Sequence, residues 1–193
     1  MAPTSLSLLE RLKAADPEPT DWRRLQEIYL PLITGWLRRI PGLEPDAEDL
    51  AQEVMLVLVR EISRFERRRE GSFRAWLRQV TINRVRAHRK QIKRQRQAGL
   101  DLTDGFLDKL SDPNSDVARE WDAEHDRHVF EKLLAVVQPD FRPSTWEAFR
   151  RFAIYGCPAA EVAVAMSLNV NSVLQAKSRV LRRLREEAGH LLE

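Results

Sequence analysis

Apolar residues recur at intervals of three and four along most of this chain, and the strict alternation typical of strands is absent. Proline and glycine separate the periodic segments. Pro31 lies inside the second of these segments and predicts a kink or a break there. We therefore predict an all-α protein with helices over residues 5–15, 21–39, 46 to 65, 72–97, 117–137, 144–155, 159–166 and 170–187.

The periodicity fails over residues 98–116, where Gly99, Gly105 and Pro113 are joined by repeated Asp. Such a composition is typical of a linker, with room for one helical turn. We expect two small helical domains, at 1–97 and 117–193, joined by this flexible acidic linker. Domains of roughly 80 to 95 residues lie near the lower size at which one core supports itself.

The last two predicted helices are separated by a tight turn at residues 167–169, with Asn169 as the N-cap of the final helix. This layout predicts a helix-turn-helix. The predicted inward seam of the final helix consists of Val173, Leu174, Val180, Leu181 and Leu184.

Polar and cationic side chains occupy the rest of that final helix. They are Asn171, Ser172, Gln175, Lys177, Ser178, Arg179, Arg182 and Arg183. Early residues of such a helix reach base edges in the major groove, and later arginines meet phosphates. A helical hairpin with a cationic exposed side is the alternative that this pattern leaves open.

Charge is arranged in blocks, although the formal net charge is only +3. Residues 44–53 carry five acids and no base, and residues 60–96 carry fourteen Arg or Lys against three Glu. Residues 101–131 are acidic again, and residues 177–185 are basic. Alternating blocks of this kind indicate different partners for different parts of the molecule.

The basic block at 60–96 also contains Phe65, Phe73 and Trp76. Cations interleaved with aromatic rings suit a surface that holds phosphates and stacks exposed bases. This block therefore favours binding of nucleic acid, including single strands. A solvated helix face is the alternative.

The third predicted helix separates its chemistry by face. Leu50, Val54, Val57 and Leu58 form one apolar stripe, and acids occupy the opposite side. Asp46 is the predicted N-cap, with Asp49 three residues on. The acidic side is left to bind a basic partner, or to remain a solvated face that favours the helix N-terminus.

Two blocks in this first domain carry a family resemblance. Residues 46–54 read DAEDLAQEV, and residues 73–83 read FRAWLRQVTIN. They resemble the patterns DAEDLxQEV and FxxWLxxIAxN in the second region of bacterial RNA polymerase sigma factors, in the extracytoplasmic-function (ECF) group of the sigma-70 family. The resemblance implies a transcription initiation factor that binds core RNA polymerase and directs it to promoters.

The resemblance also implies roles for single residues. Those implied to bind the clamp helices of the largest polymerase subunit are Asp46, Glu48, Asp49, Gln52 and Glu53. Those implied to capture the minus-10 element as an opened non-template strand are Arg67, Arg68, Arg69, Ser72, Trp76, Gln79, Asn83, Arg84, Arg86, His88, Arg89 and Lys90. The chain departs from the family at Ala87 and Lys90, where Asp and Arg are common.

The last two predicted helices resemble the fourth region of the same sigma group, whose usual pattern is ExAxxLGxSxxTVKSRLxRAR. Glu161, Ala163, Val173 and Arg179 are retained, but Met166-Ser167 replaces Leu-Gly and residues 174–176 replace Lys-Ser-Arg. The resemblance implies minus-35 duplex binding by the polar and cationic residues of the final helix. It also implies contact with the polymerase flap, and an anti-sigma protein is a further candidate partner.

Other functional classes find little support. His125 and His128 form a pair at i and i+3 that is more typical of a solvent-facing helix side than of a metal site, and Cys157 has no activating neighbour. A glycine-rich phosphate loop is absent from the sequence. We expect no enzyme activity, no cofactor and no metal. The alternative function is a stand-alone helix-turn-helix regulator that binds operator DNA as a dimer, which would have no need of the acidic face.

The single Cys157 allows no intramolecular disulfide, and no apolar run approaches the roughly 20 residues that span a bilayer. Glu10, Arg11 and Lys13 interrupt the N-terminal apolar stretch, unlike a secretory signal. We expect a cytoplasmic protein that does not associate with membranes.

Overall fold

The structure, a computed structural model, describes residues 7–66, 72–96 and 105–189. Over these residues the chain is helical and contains no strand, so the all-α prediction is confirmed. The helices are α1 (Leu8–Leu12), α2 (Pro19–Arg38), α3 (Ala47–Glu61), α4 (Ser72–Arg96), α5 (Gly105–Ser111), α6 (Asp116–Val137), α7 (Pro143–Phe149), α8 (Ala159–Ala165) and α9 (Val170–Ala188).

The chain packs as two units. Among the described residues, 8–129 form the first unit, and 130–189 together with Ser7 form the second. The division falls inside α6, so this helix contributes its first half to one unit and its second half to the other. These packing units have other bounds than the helical domains expected at 1–97 and 117–193, and those domains stay a prediction.

The core of the first unit lies between α2, α3 and α4. The predicted stripe of α3 is buried at Leu50, Val54 and Leu58 and half-buried at Val57, and it packs against α2 and α4. Helix α2 continues through Pro31, so the break allowed by the sequence does not occur. Pro31 is exposed, and the carbonyl group that loses its N–H partner one turn earlier therefore lies on the solvent side of α2.

The first half of α6 completes this core. Trp121 is fully buried, and its ring centroid lies 5.0 Å from that of Trp36 on α2. Before it, the segment predicted as a linker contains the seven-residue helix α5, which buries Leu107 and Leu110 against the unit. Ser115 Oγ accepts a hydrogen bond from the Ala118 N–H at 3.0 Å, which satisfies one of the free donors at the start of α6.

The second unit packs α7, α8 and α9 around one apolar cluster. Its buried members are Ala148, Val162, Ala163, Val173 and Ala176. Helix α7 is followed by a π-helical turn at Arg150–Ile154. The helix and this turn together cover most of the helix predicted at 144–155.

The turn between α8 and α9 follows the predicted chemistry. Asn169 Oδ1 accepts a hydrogen bond from the Ser172 N–H at 2.7 Å, which confirms Asn169 as the N-cap of α9. Ser167 has a φ of 54°, a left-handed conformation that glycine adopts more readily. This is the position at which the sigma pattern has glycine.

The prediction that Leu174 belongs to the inward apolar side of α9 is wrong. Val173, Val180 and Leu184 are buried, but Leu174 is 44% exposed. A step of about 100° per residue turns Leu174 away from the stripe that Val173 and Ala176 define, so adjacency in sequence to Val173 does not bring it into the core.

None of the helices in the described ranges combines the length and the apolar character needed to cross a membrane.

Candidate nucleic-acid interface

The acidic residues of α3 lie together on its outward side. Glu48, Asp49, Gln52 and Glu53 are exposed, and Asp46 is half-buried just before the helix. The structure thus brings together the five residues predicted to bind core polymerase. Their role stays a prediction.

Cations of the same unit already approach this acidic face. Arg38 donates to Glu48 at 2.6 Å, and Arg84 donates to Glu53 at 2.9 Å. Arg38, Glu48 and Glu53 are exposed and Arg84 is half-buried, and ion pairs at such a surface contribute only about 0 to 1 kcal/mol. An external basic partner could therefore replace either cation at little cost.

Asp46 does not cap α3 through its side chain. A turn of 3-10 helix at Glu44–Asp46 leads into α3, so Asp46 has φ −98° and ψ −1° instead of the extended backbone that capping requires. Its Oδ2 lies 3.1 Å from His88 Nε2 on α4. The prediction that the Asp46 side chain caps α3 is therefore wrong. This side chain instead contacts α4 and links it to the start of α3.

Three aromatic rings form a cluster where α4 begins. Phe65, Phe73 and Trp76 have centroid distances of 5.1 to 5.5 Å. Phe65 and Phe73 are buried, whereas Trp76 is half-buried, so part of the indole remains accessible at the edge of this aromatic cluster. A ring fixed in this way can offer a stacking face to a base with little loss of side-chain entropy.

A polar stripe continues from Trp76 along α4. Its members are Trp76, Gln79, Asn83, Arg86 and Lys90, which follow one another at steps of three and four and so share one side of the helix. Gln79 Nε2 donates to Asn83 Oδ1 at 2.8 Å, and Arg86 donates to Asp108 on α5 at 3.1 Å. The stripe combines amide groups, cations and one aromatic edge, a suitable set for bases and phosphates.

Of the remaining residues predicted to bind the minus-10 element, some lie on α4 and others lie outside the described residues. Arg84, His88 and Arg89 are half-buried on α4. Arg67, Arg68 and Arg69 lie outside the described residues, and Ser72 begins α4 with a side chain that is likewise outside them.

Two cations of the basic block face away from the polar stripe and are bound by α6. Arg74 donates to Asp126 at 2.6 Å, and Arg78 donates to Asp122 at 2.8 Å. Burial raises the pKa of Asp126, but the hydrogen bond from His125 and the charge of Arg74 outweigh it and hold this pKa below its ordinary value. These cations are therefore structural. In the sequence, the two arginines of α4 and the two aspartates of α6 are each four residues apart. This matched spacing is the signal for the two ion pairs, but the pattern within each helix does not connect them.

The two histidines of α6 are not solvent-facing as expected. His125 is fully buried beside Tyr29 and contacts Asp126 through Nδ1 at 3.0 Å. His128 Nε2 lies 2.7 Å from the carbonyl oxygen of Ile28. Both serve the junction of α6 with α2. Within residues 7–66, 72–96 and 105–189, no group of three His, Cys, Asp or Glu could hold a metal ion.

An apolar groove of about 580 Å³ lies between α2 and α3, next to the acidic face. Its lining includes Trp22, Leu30, Met55, Leu56, Val59 and Gln52. Leu56 and Val59 are 54% and 45% exposed, an unusual state for two large apolar residues one turn apart. Sequence-based prediction missed this groove, although both residues fall outside the apolar stripe of α3.

In the second unit, most minus-35 candidates lie on the outward side of α9. Asn171, Gln175, Ser178, Arg179 and Arg182 are exposed, and Ser172 is half-buried.

Lys177 and Arg183 are instead bound at the flanks of α9. The Lys177 ammonium lies 5.1 Å from the centroid of the Phe152 ring, and Arg183 donates to Asp140 at 2.8 Å and to Glu187 at 3.0 Å. Burial lowers the pKa of Arg183, but the hydrogen bonds to Glu187 and Asp140 outweigh it and raise this pKa above its ordinary value.

Residues 25–95 match the family model described as Sigma-70 region 2. The matched segment begins in α2 and ends near the end of α4, so it contains the acidic face, the aromatic cluster and the polar stripe. No curated protein matches the chain. The match covers less than half of the chain, and it supports a factor of the sigma-70 family with a role in promoter recognition by RNA polymerase.

Proposed function

We propose that this protein is a transcription initiation factor of the ECF sigma group, which binds core RNA polymerase and directs it to promoters. The main support for this proposal is that the segment similar to Sigma-70 region 2 has two surfaces of opposite charge on neighbouring helices. The acidic face of α3 suits a basic protein partner, and the polar stripe of α4 suits nucleic acid.

Core polymerase binds the acidic face and the groove beside it. Asp49 and Glu53 attract the basic clamp helices of the largest subunit, and Leu56 and Val59 supply apolar area that becomes buried on binding. Arg38 and Arg84 are released from their acids as the clamp helices take their place. The charges guide encounter, and the groove provides most of the affinity.

The minus-10 element is held as a single strand along α4. Extruding a base costs a few kcal/mol of unstacking. Stacking on the accessible part of the Trp76 ring returns about 1 to 3 kcal/mol per base. Opening thus becomes nearly balanced, and contacts of Arg86, Lys90 and the cations at 67–69 with phosphates supply the surplus.

The minus-35 element is bound as a duplex by the second unit. The helices α8 and α9 act as a helix-turn-helix, with α9 in the major groove. Asn171 and Gln175 lie near the start of α9, where side chains reach base edges, and Arg179 and Arg182 follow where the helix meets phosphates.

Run-off transcription tests this function. The full chain, mixed with core polymerase from the same organism, should initiate RNA at defined positions on a library of genomic fragments. Core polymerase alone is the control and should give none of these products. Failure to initiate from any fragment, together with tight duplex binding by the chain alone, would overturn the proposal in favour of a stand-alone DNA-binding regulator.

A further inference from the structure

Two apolar side chains stand exposed on α9, the helix that the proposed function places in the major groove. Val170 and Leu174 are each 44% exposed and lie one helical turn apart. Leu174 falls in one row with Asn171 and Ser178, at steps of three and four. Polar side chains thus flank an apolar one on the outward side of the helix.

Packing within the second unit does not explain these two residues. The buried side of α9 includes Val180 together with Val173 and Ala176, and the last two belong to the cluster shared with α7 and α8. One exposed leucine is unremarkable in a protein surface. A pair at the start of a helix, next to amide side chains and followed by exposed arginines, is a chemically specific arrangement.

The surrounding charges select the occupant. Arg179 and Arg182 are exposed one to two turns further along α9, so a polyanion is favoured over an apolar protein surface. In a DNA major groove, the one apolar group on a base edge is the C5-methyl group of thymine. The amides of Asn171 and Gln175 match adenine, which offers N6 and N7 in the same groove.

We infer that Val170 and Leu174 read thymine methyl groups in the minus-35 duplex, so that this chain prefers A·T pairs at the positions that face the start of α9. The inference rests on the proposed function of α9 and adds the base class that it selects. Burying one methyl group contributes about 0.8 kcal/mol, which corresponds to about a fourfold change in affinity at 1.36 kcal/mol per tenfold.

Uridine substitution tests the inference without altering the protein. Holoenzyme, assembled from the full chain and core polymerase, first selects duplexes from a pool randomised in the upstream element. In the best duplex, each thymine is then replaced singly by deoxyuridine, which lacks only the methyl group. We expect about a fourfold loss of affinity at one or two positions and no change elsewhere.

Protein variants identify the residues that read the methyl group. In Leu174→Ser or Val170→Ser holoenzyme, the matching uridine substitution should no longer reduce affinity. Val164→Ser is the control, because Val164 is 83% exposed on α8 and is not part of the row. That variant should retain the full uridine effect.

The outcomes separate the two proposals. Selected duplexes that tolerate uridine at every thymine would overturn the inference and leave the sigma function standing. A uridine effect that persists in both serine variants would overturn it as well. Failure of the holoenzyme to enrich any duplex would contradict the proposed function, and the inference with it.

Discussion

Arg78 on α4 donates a hydrogen bond to Asp122 on α6 at 2.8 Å, across 44 positions of sequence. The Arg78 side chain is only 7% exposed, and its second contact is the carbonyl oxygen of Ala118 at 3.4 Å. Arg74 and Asp126 form a second pair of the same kind, one helical turn away on each helix. Part of the acidic block after residue 100 therefore neutralises cations of the first unit.

Removing Asp122 should destabilise the first unit, because it leaves the guanidinium of Arg78 buried without its charged partner. We expect Asp122→Ala to lower the free energy of unfolding by about 2 to 3 kcal/mol, below the roughly 3 to 5 kcal/mol of a fully buried pair because the Asp122 side chain is 32% exposed. Glu48→Ala is the matched control, since it breaks a pair of similar length in the same unit that is exposed on both sides. That variant should lose at most about 1 kcal/mol.

Urea unfolding followed by tryptophan fluorescence measures both variants, because Trp36 and Trp121 contact each other where α6 packs on α2. Equal losses for Asp122→Ala and Glu48→Ala would show that the Arg78 pair is no more important than a surface pair.

Asp126 should make this junction sensitive to acid. Its pKa in the folded protein is lowered, so its contribution to stability is complete above the ordinary pKa of Asp, about 3.9, and disappears as pH falls through the lower folded value. The stability difference between the natural chain and Asp126→Asn should therefore be constant near neutral pH and shrink in acid. Unfolding free energies measured from pH 7 to pH 3 check this.

Arg74→Ala provides the companion measurement. It removes a charge that holds the pKa of Asp126 down, so the loss of stability in acid should be smaller and should be complete at a higher pH than in the natural chain. An identical pH profile in both proteins would contradict the assigned cause.

Much of this fold follows from local patterns in the sequence. The start of α4 at Ser72 and the cap of α9 at Asn169 were predictable, because turn and capping residues act on their own neighbours. Leu174 was misplaced because a run of two apolar residues was assigned to one face. The docking of α6 was missed because Arg78 and Asp122 pair over a distance that helical periodicity does not encode.

The candidate site divides in the same way. The acidic face of α3 and the polar stripe of α4 follow from spacing along single helices. Which acids are already paired depends on neighbouring helices, as with Glu53 and Arg84, and only the packed structure reveals it. The groove at Leu56 and Val59 likewise needs α2 as its second wall.

Charge reversal on α3 should weaken core binding. Asp49→Lys combined with Glu53→Lys places two cations where the basic clamp helices bind, so affinity for core polymerase should fall by about tenfold or more, at roughly 1.4 kcal/mol per tenfold. Because both residues are exposed, the helical circular dichroism should be unchanged. Glu131→Lys, an exposed acid on α6, is the control and should bind normally.

Co-purification with core polymerase and a titration of the complex measure this effect. Normal binding by the double variant would remove the acidic face from the proposed interface.

Trp76 should matter for the opened strand and not for the duplex. Trp76→Ala should reduce holoenzyme affinity for a template with a single-stranded minus-10 segment by about 1 to 3 kcal/mol. Trp76→Phe keeps a ring against Phe65 and Phe73 and should restore most of the affinity. Equal losses on the fully paired upstream duplex would indicate a general defect in folding instead of a lost stacking contact.

Reactivity of unpaired thymines to permanganate at a transcribed promoter tests strand capture most directly. With the full chain and core polymerase together, thymines of the minus-10 element should become reactive, and they should stay protected with either component alone. Trp76→Ala should reduce the signal. Protected thymines throughout, while the chain alone binds that promoter as a duplex, would contradict strand opening as the function of this protein.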